Sequence, residues 1–274
     1  MLLGITLGLL ALLAAAGWLA GPPLWAAWQR ARWTARPFPS AWRAILRRRL
    51  PLYRRLPPPL QRQLQRHVQV LLASVPFIGC QGQRITDEVR VLVAAQAALL
   101  LLGRPAGSFR GLRQVLVYPG PFVVERPVNQ GGVVQDHRRV LVGESWQQGQ
   151  LILSWPDVLA GAADADDGRN VVIHEFAHQL DQENGAANGA PHLGDPRAYA
   201  GWSATLGAAY AELQRQLAAG GPTLIDPYGA TDPGEFFAVV SELFFERPAA
   251  LAAVHPALYA EFARYYRCDP VAWS

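Results

Sequence analysis

Residues 174–178 read His-Glu-Phe-Ala-His, and their types and spacing suit metal-dependent hydrolysis. On a helix, positions i and i+4 lie on one face, so His174 and His178 can present their imidazoles to one zinc ion. Glu175 lies about 100° around the helix from His174, where it can accept a proton from a zinc-activated water. This segment therefore predicts a hydrolase that holds one Zn²⁺ per chain, with Glu175 as the general base.

The residues around this segment favour the helix that the chemistry requires. Asn170 offers an amino-terminal cap, and the pair Asn184-Gly185 is a stop signal. The apolar residues that can bury the remaining faces are Val171, Val172, Ile173, Phe176, Ala177 and Leu180. The competing interpretation is two solvated histidines beside a surface glutamate, which would not need apolar neighbours.

The third zinc ligand has to come from elsewhere in the chain, because catalytic zinc usually takes three protein ligands and a water. No H-E-x-x-H-x-x-G-x-x-H extension follows His178, which favours a carboxylate. Residues 231–246 predict a second helix with two candidates, Glu235 and Glu242, seven residues apart and so roughly on one face. Glu235 can also cap its own helix, since Asp232-x-x-Glu235 matches a capping box. Spacing alone therefore leaves both glutamates open.

Asp181 follows His178 by three residues and His174 by seven, so it shares their helix face. Two interpretations stay open: it accepts a hydrogen bond from a ligand imidazole, or it is an ordinary exposed acid. Other chemistries have little support. The chain has no lysine for a P-loop or a Schiff base and no G-x-S-x-G segment, and Cys80 and Cys268 form no C-x-x-C pair.

Charge is divided unevenly along the chain. Residues 1–86 contain 12 Arg and no Asp or Glu, whereas residues 87–274 contain the other 13 Arg and all 21 acids. Residues 2–20 form an uncharged, mostly apolar run of 19 residues that is followed by arginines. This pattern predicts a transmembrane anchor at residues 1–29, rather than a cleaved signal peptide or a buried core helix.

The arginine-rich flank predicts an orientation in the membrane. By the positive-inside rule, we expect a single-pass protein of the inner membrane whose catalytic domain faces the cytoplasm. Residues 30–59 are interpreted as a basic, proline-rich juxtamembrane linker whose arginines face anionic headgroups. No nucleic-acid-binding module accompanies these arginines, so nucleic acid is not expected as a partner.

Residues 60–274 are predicted to form the peptidase domain. Helical spacing of apolar residues indicates an amphipathic helix over 60–75 and a core helix over 85–102. Short strands are indicated within 114–124, 139–143 and 151–155. A few strands among several helices predict an α+β domain.

Four stretches together resemble one family. They are YPGPFVV (118–124), GESWQQGQLILSWPDV (143–158), VVIHEFAHQLDQENG (171–185) and DPYGATDPGEFFAVVSELFF (226–245). The chain resembles the zinc metallopeptidase family of Mlc titration factor A, a gluzincin-like group related to the catalytic domain of anthrax lethal factor. The likeness runs from about residue 60 to about residue 272. It implies a compact zincin-like domain built on the H-E-x-x-H helix and a second, glutamate-bearing helix.

The resemblance also implies roles for individual residues. The family's third zinc ligand is the glutamate of a D-P-x-E-x-F-A segment, which corresponds to Glu235 here. In the related lethal-factor domain, a tyrosine seven residues before that ligand helps to stabilise the tetrahedral intermediate, and Tyr228 holds this position. The other interpretation of Tyr228 is a packing residue on a loop. The implied activity is peptide-bond hydrolysis with aminopeptidase-like cleavage of small substrates.

A function of a different class would use the same ligands. It is a zinc-stabilised regulatory protein that binds a transcription factor or a sugar-uptake component and has incidental peptidase activity. The family's founding member binds a repressor, but no residue motif for that binding can be matched here, so a protein partner stays open beside a peptide or protein substrate. Glu175 favours the enzyme, since a structural zinc site needs no general base. A third interpretation, a membrane-surface structural protein, predicts no bound metal.

Overall fold

The structure is a computed structural model that describes residues 24–104, 109, 111–130, 133–141, 143–146 and 149–273. The chain divides into two compact units, Met1–Phe38 and Pro39–Ser274. In the first unit, helix α1 covers residues 24–34. Trp25 stacks on Trp28 within it, with ring centroids 4.9 Å apart. The second unit carries all the elements that follow.

Helices dominate the second unit, and several begin at a proline, whose fixed φ suits the first helical turn. Their bounds are α2 (Ser40–Arg49), α3 (Pro51–Arg55), α4 (Pro58–Ser74), α5 (Asp87–Leu99), α6 (Trp155–Ala163), α7 (Val171–Asp181), α8 (Ala198–Ala218), α9 (Pro233–Glu246), α10 (Pro248–Val254) and α11 (Pro256–Tyr266).

The strands form two separate sheets. Their bounds are β1 (Phe77–Gly79), β2 (Gln114–Tyr118), β3 (Phe122–Gln130), β4 (Val133–Leu141), β5 (Gly143–Trp146) and β6 (Gln150–Ser154). The first sheet has the order β1-β2-β6-β5, with β1, β2 and β6 parallel and β5 antiparallel to β6. Strands β3 and β4 pair separately as an antiparallel hairpin.

The core is built around α7, which contacts strands β5 and β6 and helices α5, α6 and α9. Val115 of β2 and Leu151 of β6 are register partners, and both are fully buried. Residues 91–99 of helix α5 are all buried, and the helix contacts α2, α4, α6 and α7. It begins where the side chain of Thr86 accepts a hydrogen bond from the Val89 amide at 3.3 Å. This packing holds α7 in the centre of the domain.

The prediction of an α+β domain preceded by a transmembrane helix is wrong for the described chain, which is a mixed α/β domain with a largely parallel sheet. Among the described residues, no helix has both the length and the apolar composition needed to cross a bilayer. The apolar run at residues 2–20 lies outside the described residues. The inner-membrane localisation and the membrane contact that we inferred from this helix are therefore withdrawn.

The arginine-rich segment shows why the charge pattern was misleading. Helices α2 and α3 lie within the range interpreted as a linker, and Leu46, the only buried residue of α2, is fully covered. Arg48 and Arg49 form ion pairs with Glu88 of α5, with N–O distances of 3.3 and 2.7 Å. These two arginines have carboxylate partners within the domain, so their charge does not require lipid headgroups.

Candidate metal centre and active site

Helix α7 presents the two histidines of the H-E-x-x-H segment on one face. Its amino terminus is capped by Asn170, whose side-chain oxygen accepts a hydrogen bond from the Ile173 amide at 3.0 Å. One helical turn separates His174 from His178, and their Nε2 atoms lie 3.2 Å apart. Both imidazoles are nearly buried, with 12% and 11% of their side chains exposed. The local cap and the apolar faces of α7 therefore aim two ring nitrogens at one point.

Helix α9 brings a carboxylate to the same point. The side chain of Asp232 accepts hydrogen bonds from the amides of Gly234 and Glu235, so Asp232 caps this helix. The carboxylate of Glu235 faces the histidines, with Oε2 3.0 Å from Nε2 of His174 and 3.4 Å from Nε2 of His178. Of the two glutamates that spacing left open, Glu235 is the one whose carboxylate meets both imidazoles.

The spacing of these three donor atoms fits a small tetrahedral metal ion. With bonds of about 2.0–2.1 Å, the ligands of tetrahedral zinc lie roughly 3.3 Å from one another. The three distances here are 3.0, 3.2 and 3.4 Å. His174, His178 and Glu235 also form a group of metal-ligating type among the described residues. Two imidazoles and one carboxylate are a donor set that zinc takes in catalytic sites.

The electrostatics of the cluster favour a positive charge between these atoms. Burial by itself would lower the pKa of His174, but its hydrogen bonds to Glu235 and Glu242 outweigh burial and raise that pKa well above its usual value. Burial would likewise raise the pKa of Glu235, but the hydrogen bonds to His174 and His178 hold it far below its usual value. A proton or a metal ion can supply the charge that this arrangement stabilises.

Glu242 contacts the other side of His174. Its Oε1 lies 2.8 Å from Nδ1 of that imidazole, where the carboxylate can accept a hydrogen bond from Nδ1–H while Nε2 faces Glu235. Oε2 of Glu242 accepts a hydrogen bond from the backbone amide of Asn170 at 2.5 Å. The second candidate glutamate therefore orients the His174 ring, and a metal ion on Nε2 would place the ring proton on Nδ1, facing Glu242.

Two residues of this buried network were not identified as part of the site from the sequence. The side-chain amide of Asn170 donates to the carbonyl of Gly161 and to Oε1 of Glu246, both at 2.9 Å. Glu246 is 1% exposed, and burial, reinforced by Asp167 and Glu242, raises its pKa to about 9 despite the Asn170 hydrogen bond. The spacing of Glu246, four residues after Glu242 on α9, is the signal that could have indicated it.

Asp181 is fully buried, so it is not an exposed acid. Its Oδ2 accepts a hydrogen bond from the amide of Gly189 at 2.7 Å, and burial raises its pKa. Gly189 has φ +74°, and a Cβ there would lie 2.3 Å from the carbonyl of Pro233 at the start of α9. Asp181 therefore fixes a loop that packs against the beginning of the helix that carries Glu235.

Glu175 and Tyr228 line one cavity of about 640 Å³ together with His174 and Glu242. Glu175 is buried, with 5% exposure, whereas Tyr228 is 49% exposed on a 3₁₀ turn, Pro227–Ala230. The ring centroid of Tyr228 lies 6.0 Å from that of His174. A cavity of this size can admit part of a peptide. All five residues predicted for the site therefore lie around the metal-binding group or the cavity that opens on it.

Known proteins resemble this chain over most of its length. Residues 25–267 match the family described as glucose-regulated metallo-peptidase M90. An uncharacterized protein of Synechocystis is 43% identical over 253 residues, covering 92% of each chain. Mlc titration factor A of Klebsiella pneumoniae is 38% identical over 226 residues, covering 81% of this chain and 84% of that protein. The corresponding protein of Cronobacter sakazakii is 37% identical over 246 residues, covering 88% and 91%. The chain therefore belongs to the glucose-regulated metallo-peptidase family M90.

Proposed function

We propose that this protein is a zinc-dependent peptidase in which His174, His178 and Glu235 hold the ion. The observation that carries the proposal is the spacing of 3.0–3.4 Å among their three donor atoms. These distances suit tetrahedral zinc. The cavity that His174 lines also contains Glu175, which is buried and follows His174 in the sequence. Bound zinc would supply a Lewis acid that activates water and polarises a peptide carbonyl.

The residues around the ion have separate tasks in this mechanism. Glu175 accepts the proton of the attacking water and passes it to the leaving amine, as a general base and then a general acid. Tyr228 is half exposed at the cavity, and its phenolic hydroxyl donates a hydrogen bond to the oxygen that becomes negatively charged. Glu242 holds the His174 ring by its Nδ1 proton while the reaction proceeds.

The test is peptide hydrolysis by the wild-type chain and by Glu175→Gln, with zinc content measured on both. We expect the variant to keep its zinc and to lose activity by a factor of about 10²–10⁴, the range that general acid–base catalysis contributes. A chelator should abolish wild-type turnover, and added zinc should restore it. Full activity in Glu175→Gln would refute the mechanism.

Substrate preference has a direct test in the same assay. We propose that small peptides with a free amino terminus are preferred, as in aminopeptidase-like cleavage. Aminoacyl anilides should then be cleaved faster than their N-acetylated counterparts. Equal cleavage of both would argue for internal peptide bonds as the preferred target.

The names of the relatives support a second candidate function. Relatives from several bacteria are named Mlc titration factor A, which attributes to those proteins an action on Mlc. We propose, as the alternative, that this chain binds a regulatory protein and that hydrolysis is secondary. Two results together would favour this alternative over the peptidase. The wild-type chain would show no measurable peptide hydrolysis, and a pull-down would recover such a partner equally well with wild type and Glu175→Gln.

A further inference from the structure

A second cavity, of about 490 Å³, shares no lining residue with the cavity that contains His174. Four of its 12 lining residues are arginines: Arg104, Arg197, Arg264 and Arg267. Residues 87–274 contain 13 arginines against 21 acids. This part of the chain is acidic on balance, whereas the charged residues that line this cavity are mainly basic because they include four of those arginines.

The four arginines come from three separate segments. Arg104 follows α5, Arg197 precedes the first residue of α8, and Arg264 and Arg267 lie at the end of α11. A local basic run therefore does not explain why they share a cavity. The fold brings them together over more than 160 positions of sequence, since residues 104 and 267 are its outermost members.

Arg104 and Arg267 are held beside each other by the backbone. A Cβ on Gly103 would lie 2.3 Å from the carbonyl oxygen of Tyr266 and 2.4 Å from that of Arg267, so only glycine permits this approach. The Arg104 guanidinium carbon lies 4.0 Å from the ring centroid of Tyr265, and its Nη2 donates to the Tyr265 carbonyl at 3.3 Å. Arg104 is therefore fixed in place before any ligand binds, which lowers the entropy lost on binding.

The positive charge of the cavity is only partly compensated. Glu261 is the acidic residue of its lining, and it pairs with Arg264. Within the ranges that the structure describes, Arg104, Arg197 and Arg267 make no ion pair with a carboxylate. Positive groups that line one cavity repel one another and attract anions. The arginines without a carboxylate partner therefore make this cavity suited to binding an anion.

The arrangement of the arginines favours a phosphate group over a carboxylate. A planar carboxylate suits one bidentate arginine, whereas a phosphate presents three terminal oxygens and nearly two negative charges to donors from several directions. The volume of about 490 Å³ lies within the usual range of small-molecule sites. Trp202 and Tyr265 also line the cavity, and both are almost fully buried in the wall behind the arginines. We infer that this cavity binds a small phosphomonoester, with its phosphate held by Arg104, Arg197 and Arg267.

The test is calorimetric titration of the full chain with ribose 5-phosphate, inorganic phosphate and free ribose. We expect ribose 5-phosphate to bind at least as tightly as phosphate, and ribose not to bind. Binding should weaken by about tenfold or more in the double variant Arg197→Gln/Arg267→Gln, which removes two charge-assisted hydrogen bonds. Both side chains are exposed, so the fold should survive; thermal melting checks this, and the two single variants serve if it does not.

The matched control is Arg62→Gln/Arg66→Gln on α4, which removes the same charge from two exposed arginines outside the cavity. It should bind ribose 5-phosphate as the wild type does. Unchanged affinity in the cavity variant, or an equal loss in the control, would overturn the proposal. Binding of inorganic phosphate without binding of ribose 5-phosphate would contradict the phosphomonoester assignment.

Discussion

Charged side chains are arranged very differently at the α7–α9 cluster and along α2–α3. At the cluster, the side chains of His174, Glu235 and Glu242 are only 10–19% exposed, and both nitrogens of His174 face a carboxylate. Along α2–α3, Arg49 and Arg55 are 47% and 40% exposed and pair with acids at the surface. Burial makes a charge dependent on its partners, whereas solvent screens an exposed pair. The buried charges at the α7–α9 cluster therefore mark it, rather than α2–α3, as the candidate functional site.

Among residues that do not bind the metal themselves, the largest effect on zinc affinity should follow from removing the buried partner of a ligand. Glu242→Ala takes away the acceptor of the His174 Nδ1 proton, and loss of such a partner typically weakens metal binding about 10–100-fold. Competition with a chelator of known zinc affinity measures the change. Glu212→Ala is the control, because Glu212 is an exposed acid that bonds to Arg215 and Gln216 of its own helix, α8. Equal zinc affinity in wild type and Glu242→Ala would contradict the role of Glu242.

A smaller, pH-dependent effect is expected at Glu246. Its pKa is raised from 4.5 to about 9, chiefly by burial, so the folded protein keeps a proton that the unfolded chain loses above pH 4.5. Folding stability from this group is fully present below about pH 4.5 and declines as the pH rises towards 9. Glu246→Gln mimics the protonated form and should raise the free energy of unfolding at pH 8 by about 1–2 kcal/mol. Urea unfolding at pH 5 and pH 8 measures this, and an unchanged pH slope in the variant would show that Glu246 is ionised.

The smallest effect should come from the surface pairs. Arg49→Ala removes the 2.7 Å ion pair with Glu88 and should lower the free energy of unfolding by less than about 1 kcal/mol. High salt should reduce the difference further, because it screens exposed charges. Arg47→Ala is the matched control, an exposed arginine of the same helix that forms no ion pair in the described chain. A loss of several kcal/mol in the free energy of unfolding of Arg49→Ala, as expected for breaking a buried ion pair, would contradict the distinction between the two regions.

The sequence was informative where the relevant contacts are local. The i, i+4 spacing of the two histidines and the cap at Asn170 lie within nine residues, so helix rules are enough to place two imidazoles together. The seven-residue spacing of Glu235 and Glu242 placed them on one face but left open which one would meet the metal. In the fold they face different nitrogens of His174, which depends on how α9 packs against α7.

The sequence was misleading or silent where partners are distant. The arginines of α2–α3 were interpreted as a membrane flank because their partners, Glu88 and Asp166, lie about 40 and 110 residues further on. The parallel order of β1, β2 and β6 depends in the same way on long-range pairing. The role of Asp181 also required the fold, because the amide that it holds belongs to a loop packed against α9.

The most direct test of the α7–α9 centre is its metal content. The purified wild-type chain and Glu235→Ala would be loaded with zinc, dialysed, and analysed by inductively coupled plasma mass spectrometry. The predicted result is one zinc per wild-type chain and a large loss of zinc from Glu235→Ala, since that variant removes a carboxylate that meets both imidazoles. Full zinc occupancy in Glu235→Ala, or no zinc in the wild type, would contradict the assignment of His174, His178 and Glu235 as the metal ligands.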